Sequence, residues 1–278
     1  MPGTIMVAVD GDPSHRGAVE WAAARAIRDR ARLVLVFVIE RSWGDALDEP
    51  SPALRAAGEA ILADVLGHTT AISDVATRLC YGHVGAELVS ESEDADLLVV
   101  GTGRGTDRDR PFRGSLAVRV AAAAACTVAV VPHDWTGGGL GVAVGVDGQP
   151  PSEVAVAFAA EEAFRLRERL DIVCAGYSAN PLLTGLVPEV SVGDHRERIA
   201  RSAAEFAREL RSDLDIATTV VEAAPADGLV NAARGHRLLV VGTHERRGVQ
   251  RLMLGSVAHD VLLNVRVPVV VARNRRDT

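Results

Sequence analysis

The sequence predicts an α/β protein made of two tandem doubly wound domains, each a five-stranded parallel sheet with helices on both faces. Three observations lead there. Apolar, β-rich runs such as "IMVAVD", "RLVLVFVI", "DLLVVG" and "TVAVV" alternate with stretches of helical periodicity. These runs are apolar throughout rather than at every second residue, which is the pattern of strands buried on both faces. The whole arrangement is also written twice, because "VAVDGDPSHRGAVEWAAARA" from residue 7 is answered by "VGVDGQPPSEVAVAFAAEEA" from residue 144. Asp10, Gly11 and Trp21 match Asp147, Gly148 and Phe158 at one spacing; Gly101, Gly114 and Ser115 match Gly242, Gly255 and Ser256 at a slightly longer one. A repeat of this length means two homologous domains.

In the first half, "IMVAVD" is the opening strand. A helix follows from near Ser14, with Ala18, Val19, Ala22 and Ala26 on one face, and "RLVLVFVI" is the next strand. A helix around 52–66, a strand around 75–80 and a helix around 84–93 come next. "DLLVVG" and "TVAVV" are the last two strands, joined through "SLAVRVAAAAA". The second half repeats this, with strands near 141–146, 171–175, 216–222, 238–242 and 267–272. "HDWTGGGLG" at 133–141 has three consecutive glycines and no core pattern, so it suits a turn or linker and sets the domains at 1–135 and 136–278.

Bulk composition narrows the function. The chain has 278 residues, 48% of them hydrophobic and 24% charged, which is a folded globular composition. Aromatics are only 4%, so the core is built from Ala, Val, Leu and Ile. A net charge of −7 argues against general nucleic-acid binding. No apolar run approaches the roughly 20 residues of a membrane helix, and "MPGTIMVAVDGD" lacks the features of a signal peptide. Cys80, Cys126 and Cys174 are odd in number and far apart, as core residues in a reducing compartment are; the expected location is the cytoplasm. There is no lysine, so Schiff-base chemistry and the lysine of a P-loop are both excluded.

The strongest chemical signal lies after the fourth strand of each half. "VVGTHERRGVQRLMLGS" leaves its strand at Gly242 and enters a helix through Gly255-Ser256; "VVGTGRGTDRDRPFRGS" does the same from Gly101 to Gly114-Ser115. Glycines allow close backbone approach to an anion, Ser256 can cap the helix, and the first-turn N–H groups face outward. Arg246, Arg247 and Arg251 add positive charge. An ordinary strand-to-helix connection with a serine cap would read the same way. The first strand of each half ends in Asp-Gly, at Asp10-Gly11 and Asp147-Gly148. Such an aspartate either forms the turn and caps the next helix or meets a sugar hydroxyl or base edge.

Other signals are bland. "GTGRGT" follows the fourth strand rather than the first and is no dinucleotide fingerprint. The eight histidines show no metal-ligand spacing, and no Gly-x-Ser-x-Gly elbow is present. The acidic run "ESEDAD" reads as a solvated helix end. "NPLLTGLVPEV" is an apolar, proline-bearing loop that suits either a lid or an interface.

Asp-Gly after the first strand, the glycine loop ending in Gly-Ser and the closing "TVAVVP" and "VPVVVA" strands together resemble the universal stress protein family, in its ATP-binding branch. The resemblance covers nearly all of both halves. It implies a phosphate loop of pattern Gly, two residues, Gly, nine residues, Gly, then Ser or Thr. It places the nucleoside side at Asp10 and Val38 in the first half, and at Asp147 and Ala175 in the second. It places the phosphate side at Gly101, Thr102, Arg104, Gly105, Gly114 and Ser115, then at Gly242, Thr243, Gly255 and Ser256. The family's second glycine falls on Arg104 in one half and Glu245 in the other. Arg104 lies between Gly103 and Gly105 and can pair with a phosphate, whereas a carboxylate about 4 Å from phosphate charge costs about 1 kcal/mol in water-like surroundings. The first site is therefore expected to be the tighter, although Pro111 gives its loop a shape of its own.

What the resemblance implies is a regulatory stress-response protein that binds ATP or a related adenine nucleotide, accompanied by Mg²⁺, with slow hydrolysis at most. No residue is an evident base for activating water, so no catalytic residue is assigned. A nucleotide-free interaction protein with degenerate loops and a weak nucleotide hydrolase are the rival readings. Helices rich in Ala and Val leave surface that a second copy would cover, so a homodimer is expected. Neither nucleic acid nor membrane is an expected partner.

Overall fold

The computed structural model describes residues 3–12, 16–41, 49–102, 113–177, 190–243 and 254–274, with main chain only at 113–115, 151 and 190–194. Two compact units divide the chain, Met1–Thr136 and Gly137–Asn274.

The first unit runs β1 (Thr4–Val9), α1 (Gly17–Asp29), β2 (Arg32–Glu40), α2 (Pro52–Gly67), β3 (Val75–Gly82), α3 (Val84–Glu91), β4 (Leu97–Thr102), α4 (Arg113–Ala123) and β5 (Thr127–Pro132). Its strands lie in the order β3-β2-β1-β4-β5, all parallel. The second unit runs β6 (Val142–Gly145), α5 (Pro150–Leu166), β7 (Leu170–Ala175), α6 (Val190–Leu210), β8 (Ile216–Val221), α7 (Pro225–Ala232), β9 (Leu238–Gly242), α8 (Ser256–Leu263) and β10 (Val269–Ala272). Its order is β8-β7-β6-β9-β10, again parallel. Each is the doubly wound arrangement expected from the sequence. The chain winds outward one way from the first strand and then returns to wind the other way through the fourth.

Continuous apolar runs become the central strands because both sheet faces carry helices. Leu97, Leu98, Val99 and Val100 of β4 are all buried, and so are Leu238, Leu239, Val240 and Val241 of β9. The face of α1 predicted from periodicity, Ala18, Val19, Ala22 and Ala26, is buried together with Trp21. Small residues there let the helix approach the strands closely, which suits a core poor in aromatics. Ser51 caps α2 by accepting from the Leu54 N–H at 3.3 Å, with Pro52 in the first turn. Helices α1 and α5 both end on arginines in left-handed backbone, Arg30 at φ 53° and Arg167 at φ 55°.

The predicted start of α1 near Ser14 lies outside the described residues, among which the helix runs from Gly17. Two expectations need revision. The acidic run after α3 is more than a solvated end: Ser92 is fully buried, its hydroxyl donates to the Val89 carbonyl at 2.6 Å and accepts the Ala125 N–H at 2.8 Å. In the same run Glu91 and Asp94 both hold Arg78, and Asp96 accepts the Thr4 N–H at 2.8 Å. Finally, the glycine run is only partly a free turn. The Leu140 N–H donates to the Gly235 carbonyl at 2.9 Å and the Gly141 N–H to Glu168 at 2.6 Å, so these residues belong to the second unit's own fold.

Candidate functional site

A doubly wound sheet has its crevice where successive strands leave in opposite directions, at the carboxyl ends of the two central strands. Here those are β1 and β4 in one unit, β6 and β9 in the other. Strand register determines which residues meet there. Val9 stands opposite Phe37 and Val7 opposite Val99. Following both pairings to the strand ends brings Asp10 level with Val38 on β2 and with Thr102 on β4. In the second unit Gly145 stands opposite Val173 and Val144 opposite Val240, which brings Asp147 level with Ala175 and Thr243. Carried past the last paired positions, the register thus lines up the residues assigned from sequence to the nucleoside side with the start of the fourth-strand loop, in both units. Gly101 and Gly242 sit one residue earlier on their strands.

The aspartates are exposed and already engaged. In each unit Oδ1 accepts a main-chain N–H two residues on, from Asp12 to Asp10 at 3.1 Å and from Gln149 to Asp147 at 2.9 Å. Gly11 at φ 79° and Gly148 at φ 76° supply the left-handed step this turn requires. In the second unit the Ser152 hydroxyl also donates to Asp147 Oδ1 at 2.6 Å and accepts the Asp147 N–H at 3.2 Å. Of the two roles weighed from sequence for this carboxylate, the turn-forming one is present in the structure. Sequence reasoning missed Ser152, which is the third residue of α5 behind Pro150 and Pro151, while the cap position is Gln149.

At the other side of the crevice, Thr102 Oγ1 accepts the His133 N–H at 3.2 Å, and Thr243 is buried at 5% exposure. Arg104, Gly105, Glu245, Arg246, Arg247, Arg251 and Pro111 lie outside the described residues. Gly114 and Ser115 fall in the first turn of α4, of which the main chain is described. Ser256 corrects an expectation: it is the first residue of α8, and the cap position is Gly255, with no side-chain hydrogen bond closing the turn. The serine cannot reach back to the N–H groups one turn ahead from inside the helix. The amide end of α8 thus has no hydroxyl lid of its own, which suits it to receive an anion.

The two crevices differ on their flanks. In the first unit Arg16 bridges from the start of α1 to α2, reaching Asp64 at 3.2 Å and His68 at 3.0 Å. In the second a cavity of about 400 Å³ opens between α5 and α6, bounded by Val146, Gly148, Gln149, Ser152, Ile199 and Phe206. The three cysteines meet the expectation of core residues beside strands, with Cys126 and Cys174 buried and Cys80 half-buried. Burial pushes the Cys80 thiol up to about 11, and the neighbouring Glu91 carboxylate adds to the rise. Burial likewise pushes the Cys174 thiol up, while Arg196 draws it down and Asp147 raises it further. Among the described residues no group of three or more His, Cys, Asp and Glu is placed to hold a metal ion, and no helix is long and apolar enough to cross a membrane.

Comparison with known proteins identifies the family and the fold. The sequence profile of the universal stress protein family matches residues 1–132 and again residues 141–273. A universal stress protein of Mycobacterium tuberculosis is 30% identical over 287 residues, spanning 97% of this chain and 96% of its own. The crystal structure of a universal stress protein from Archaeoglobus fulgidus superposes over 99% of this chain and 98% of its own, with TM-score 0.75 at 15% identity. Another universal stress protein, solved in complex with cAMP, covers 49% of this chain at 28% identity and TM-score 0.38.

Proposed function

Because the chain belongs to the universal stress protein family and carries the family's domain twice, we propose that it is a regulatory protein that binds ATP or a related adenine nucleotide at the carboxyl ends of its sheets. What supports this reading is the repeated register: carried one to three residues past the last paired positions, it sets an aspartate turn, the end of the second strand and the start of the fourth-strand loop at the switch point of both units. Asp10 and Asp147 would face the nucleoside, together with main chain near Val38 and Ala175. Gly101 and Thr102 in one unit, and Gly242 and Thr243 in the other, would begin the phosphate side, which Gly114-Ser115 and Gly255-Ser256 close. A bound triphosphate would bring Mg²⁺ as its charge partner. This chain's residues hold and orient the nucleotide, and the reading assigns none of them to activating water, so hydrolysis is slow at most. The protein acts in the cytoplasm, in the response to stress.

Calorimetry with ATP, AMP and GTP, together with mass spectrometry of the purified protein for retained nucleotide, tests the reading. Micromolar affinity for adenine nucleotides over GTP is expected; no heat with any nucleotide and no retained nucleotide would overturn it. A phosphate-release assay bounds the hydrolysis. The nucleotide-free alternative is favoured by one observation, that the Asp147 carboxylate is held by Ser152 and Gln149 and already has work in the fold. We also read the chain as a homodimer, since Ile27 on α1, Leu54 on α2 and Leu263 on α8 each remain at least half exposed. Sedimentation at micromolar concentration should give twice the mass of the chain, and a single monomeric boundary would overturn it.

A further inference from the structure

The internal repeat allows each unit to serve as the control for the other. The glycine of the aspartate turn faces an isoleucine of the second helix in both, an added Cβ on Gly11 lying 3.0 Å from Ile61 and one on Gly148 3.0 Å from Ile199. With Ile61 and Ile199 equivalent, α2 and α6 share one register, and Gly58 of α2 corresponds to Arg196 of α6. Gly58 is pressed against hydrocarbon: an added Cβ would lie 2.7 Å from Leu79, 3.3 Å from Phe37 and 3.4 Å from Ile39. Across the second unit, the strand positions of Phe37 and Ile39 are taken by Cys174 and Gly176. The space they release is filled by Arg196, which is only 8% exposed. Its guanidinium donates to the carbonyl of Gly176, immediately after Ala175, and an added Cβ on Gly176 would lie 3.6 Å from the same nitrogen.

A buried arginine carries a desolvation cost that hydrocarbon avoids, and the first unit builds the same place from hydrocarbon. We infer that Arg196 is a positioning residue of the second nucleotide site, fixing the Gly176–Tyr177 peptide just beyond β7 so that this site discriminates between bases more sharply than the first. The inference rests on the reading that the strand ends hold a nucleoside. Its physical basis is direct. A charged donor on the Gly176 carbonyl fixes the orientation of that peptide and polarises it, strengthening the donor character of the Tyr177 N–H, while the Gly176 N–H is taken by the Val221 carbonyl. A base whose edge presents an acceptor there gains, and one that presents a donor loses. In the first unit, Phe37, Ile39 and Leu79 offer packing without such discrimination.

The test uses the full chain with one site weakened at a time. In the Asp10→Asn chain, which reports the second site, Arg196→Met should weaken ATP by about ten-fold, the worth of one charge-assisted hydrogen bond, and GTP by much less, so that the preference for ATP collapses. Arg196→Lys, which keeps the charge and a donor, should recover part of it. In the Asp147→Asn chain, which reports the first site, Arg196→Met should be silent. Methionine fills a similar volume, and circular dichroism and melting should show that unit folded. Equal weakening of ATP and GTP, or no weakening, would overturn the positioning role alone. Failure of the Asp10→Asn chain to bind any nucleotide with Arg196 in place would overturn the reading of the second site and this inference with it.

Discussion

At the scale of single residues, the chain keeps its reactive groups quiet and spends its buried charge selectively. Cys80 shows the first. Its thiol sits on β3 beside Glu91, which also holds Arg78, and burial together with that carboxylate raises it to about 11. Below that value the thiolate fraction grows ten-fold per pH unit, so at pH 8 Cys80 should react with iodoacetamide about 100-fold more slowly than a free cysteine of ordinary acidity. Its rate should still be climbing at pH 10, where a free thiol has levelled off. Mass-spectrometric labelling across pH 7 to 10 checks this, and a plateau near pH 9 would show the thiol to be ordinary. Asp171 shows the second: 7% exposed at the amino end of β7, it accepts from Arg169 and from His236, each at 2.9 Å. Removing the carboxylate leaves the part-buried His236 ring nitrogen without its partner while the exposed Arg169 turns to water, so Asp171→Ala should destabilise the second unit by about 1–2 kcal/mol. Urea unfolding followed by circular dichroism measures it, and a loss under 1 kcal/mol would show that water already serves the pair.

At the scale of elements, the glycines between the repeats do different jobs despite looking alike in sequence. Gly138 and Gly139 both have positive φ, 97° and 76°. An added Cβ at Gly138 meets nothing within 4 Å, whereas at Gly139 it would come 2.4 Å from the His236 carbonyl oxygen and 2.7 Å from the Arg237 nitrogen. Gly138→Ala should therefore cost only left-handed strain, about 1 kcal/mol. Gly139→Ala must also displace backbone, and should cost at least twice that. Calorimetric melting of both variants decides, and equal costs would refute the distinction. The converse applies at Arg167, a side chain in left-handed backbone at the end of α5. Arg167→Gly should stabilise by about 0.5–1 kcal/mol, and a lower melting point would contradict that. These cases also show what the sequence could and could not reveal. Strands such as "DLLVVG" were legible because a run apolar on both faces has one common explanation. The aspartate turns were legible because they occur twice. Arg196 was not, since "DHRER" has the appearance of a solvated helix face. Its burial depends on Cys174 and Gly176 making room from another element, a long-range fact that no local periodicity encodes. The Asp147–Ser152 pair was hidden behind Pro150 and Pro151, and the cap role of Ser256 failed because the helix starts one residue earlier than a serine cap would need.

At the scale of the whole molecule, two units with separate cores and one candidate site apiece make a definite arithmetic prediction. A ligand that binds only the folded state stabilises it by mass action, about 2.7 kcal/mol at one hundred times its dissociation constant. Asp10→Asn and Asp147→Asn are the appropriate probes, because an asparagine oxygen can still accept the Asp12 or Gln149 N–H and keep the turn while the charge facing the nucleoside is gone. The parent chain should bind two adenine nucleotides, and saturating ATP should raise its melting temperature by several degrees. Each single variant should bind one, and the double variant should bind none and melt at the same temperature with or without ATP. The sites should also be unequal: Glu245, in the second loop and outside the described residues, places a negative charge where the family carries glycine, so Glu245→Gly should tighten the second site by roughly 1 kcal/mol. Calorimetric stoichiometry and a thermal shift on the same four chains settle the matter. A double variant that still gains stability from ATP would place the nucleotide somewhere other than the two aspartate turns, and a parent that gains none would leave those turns as capping devices alone.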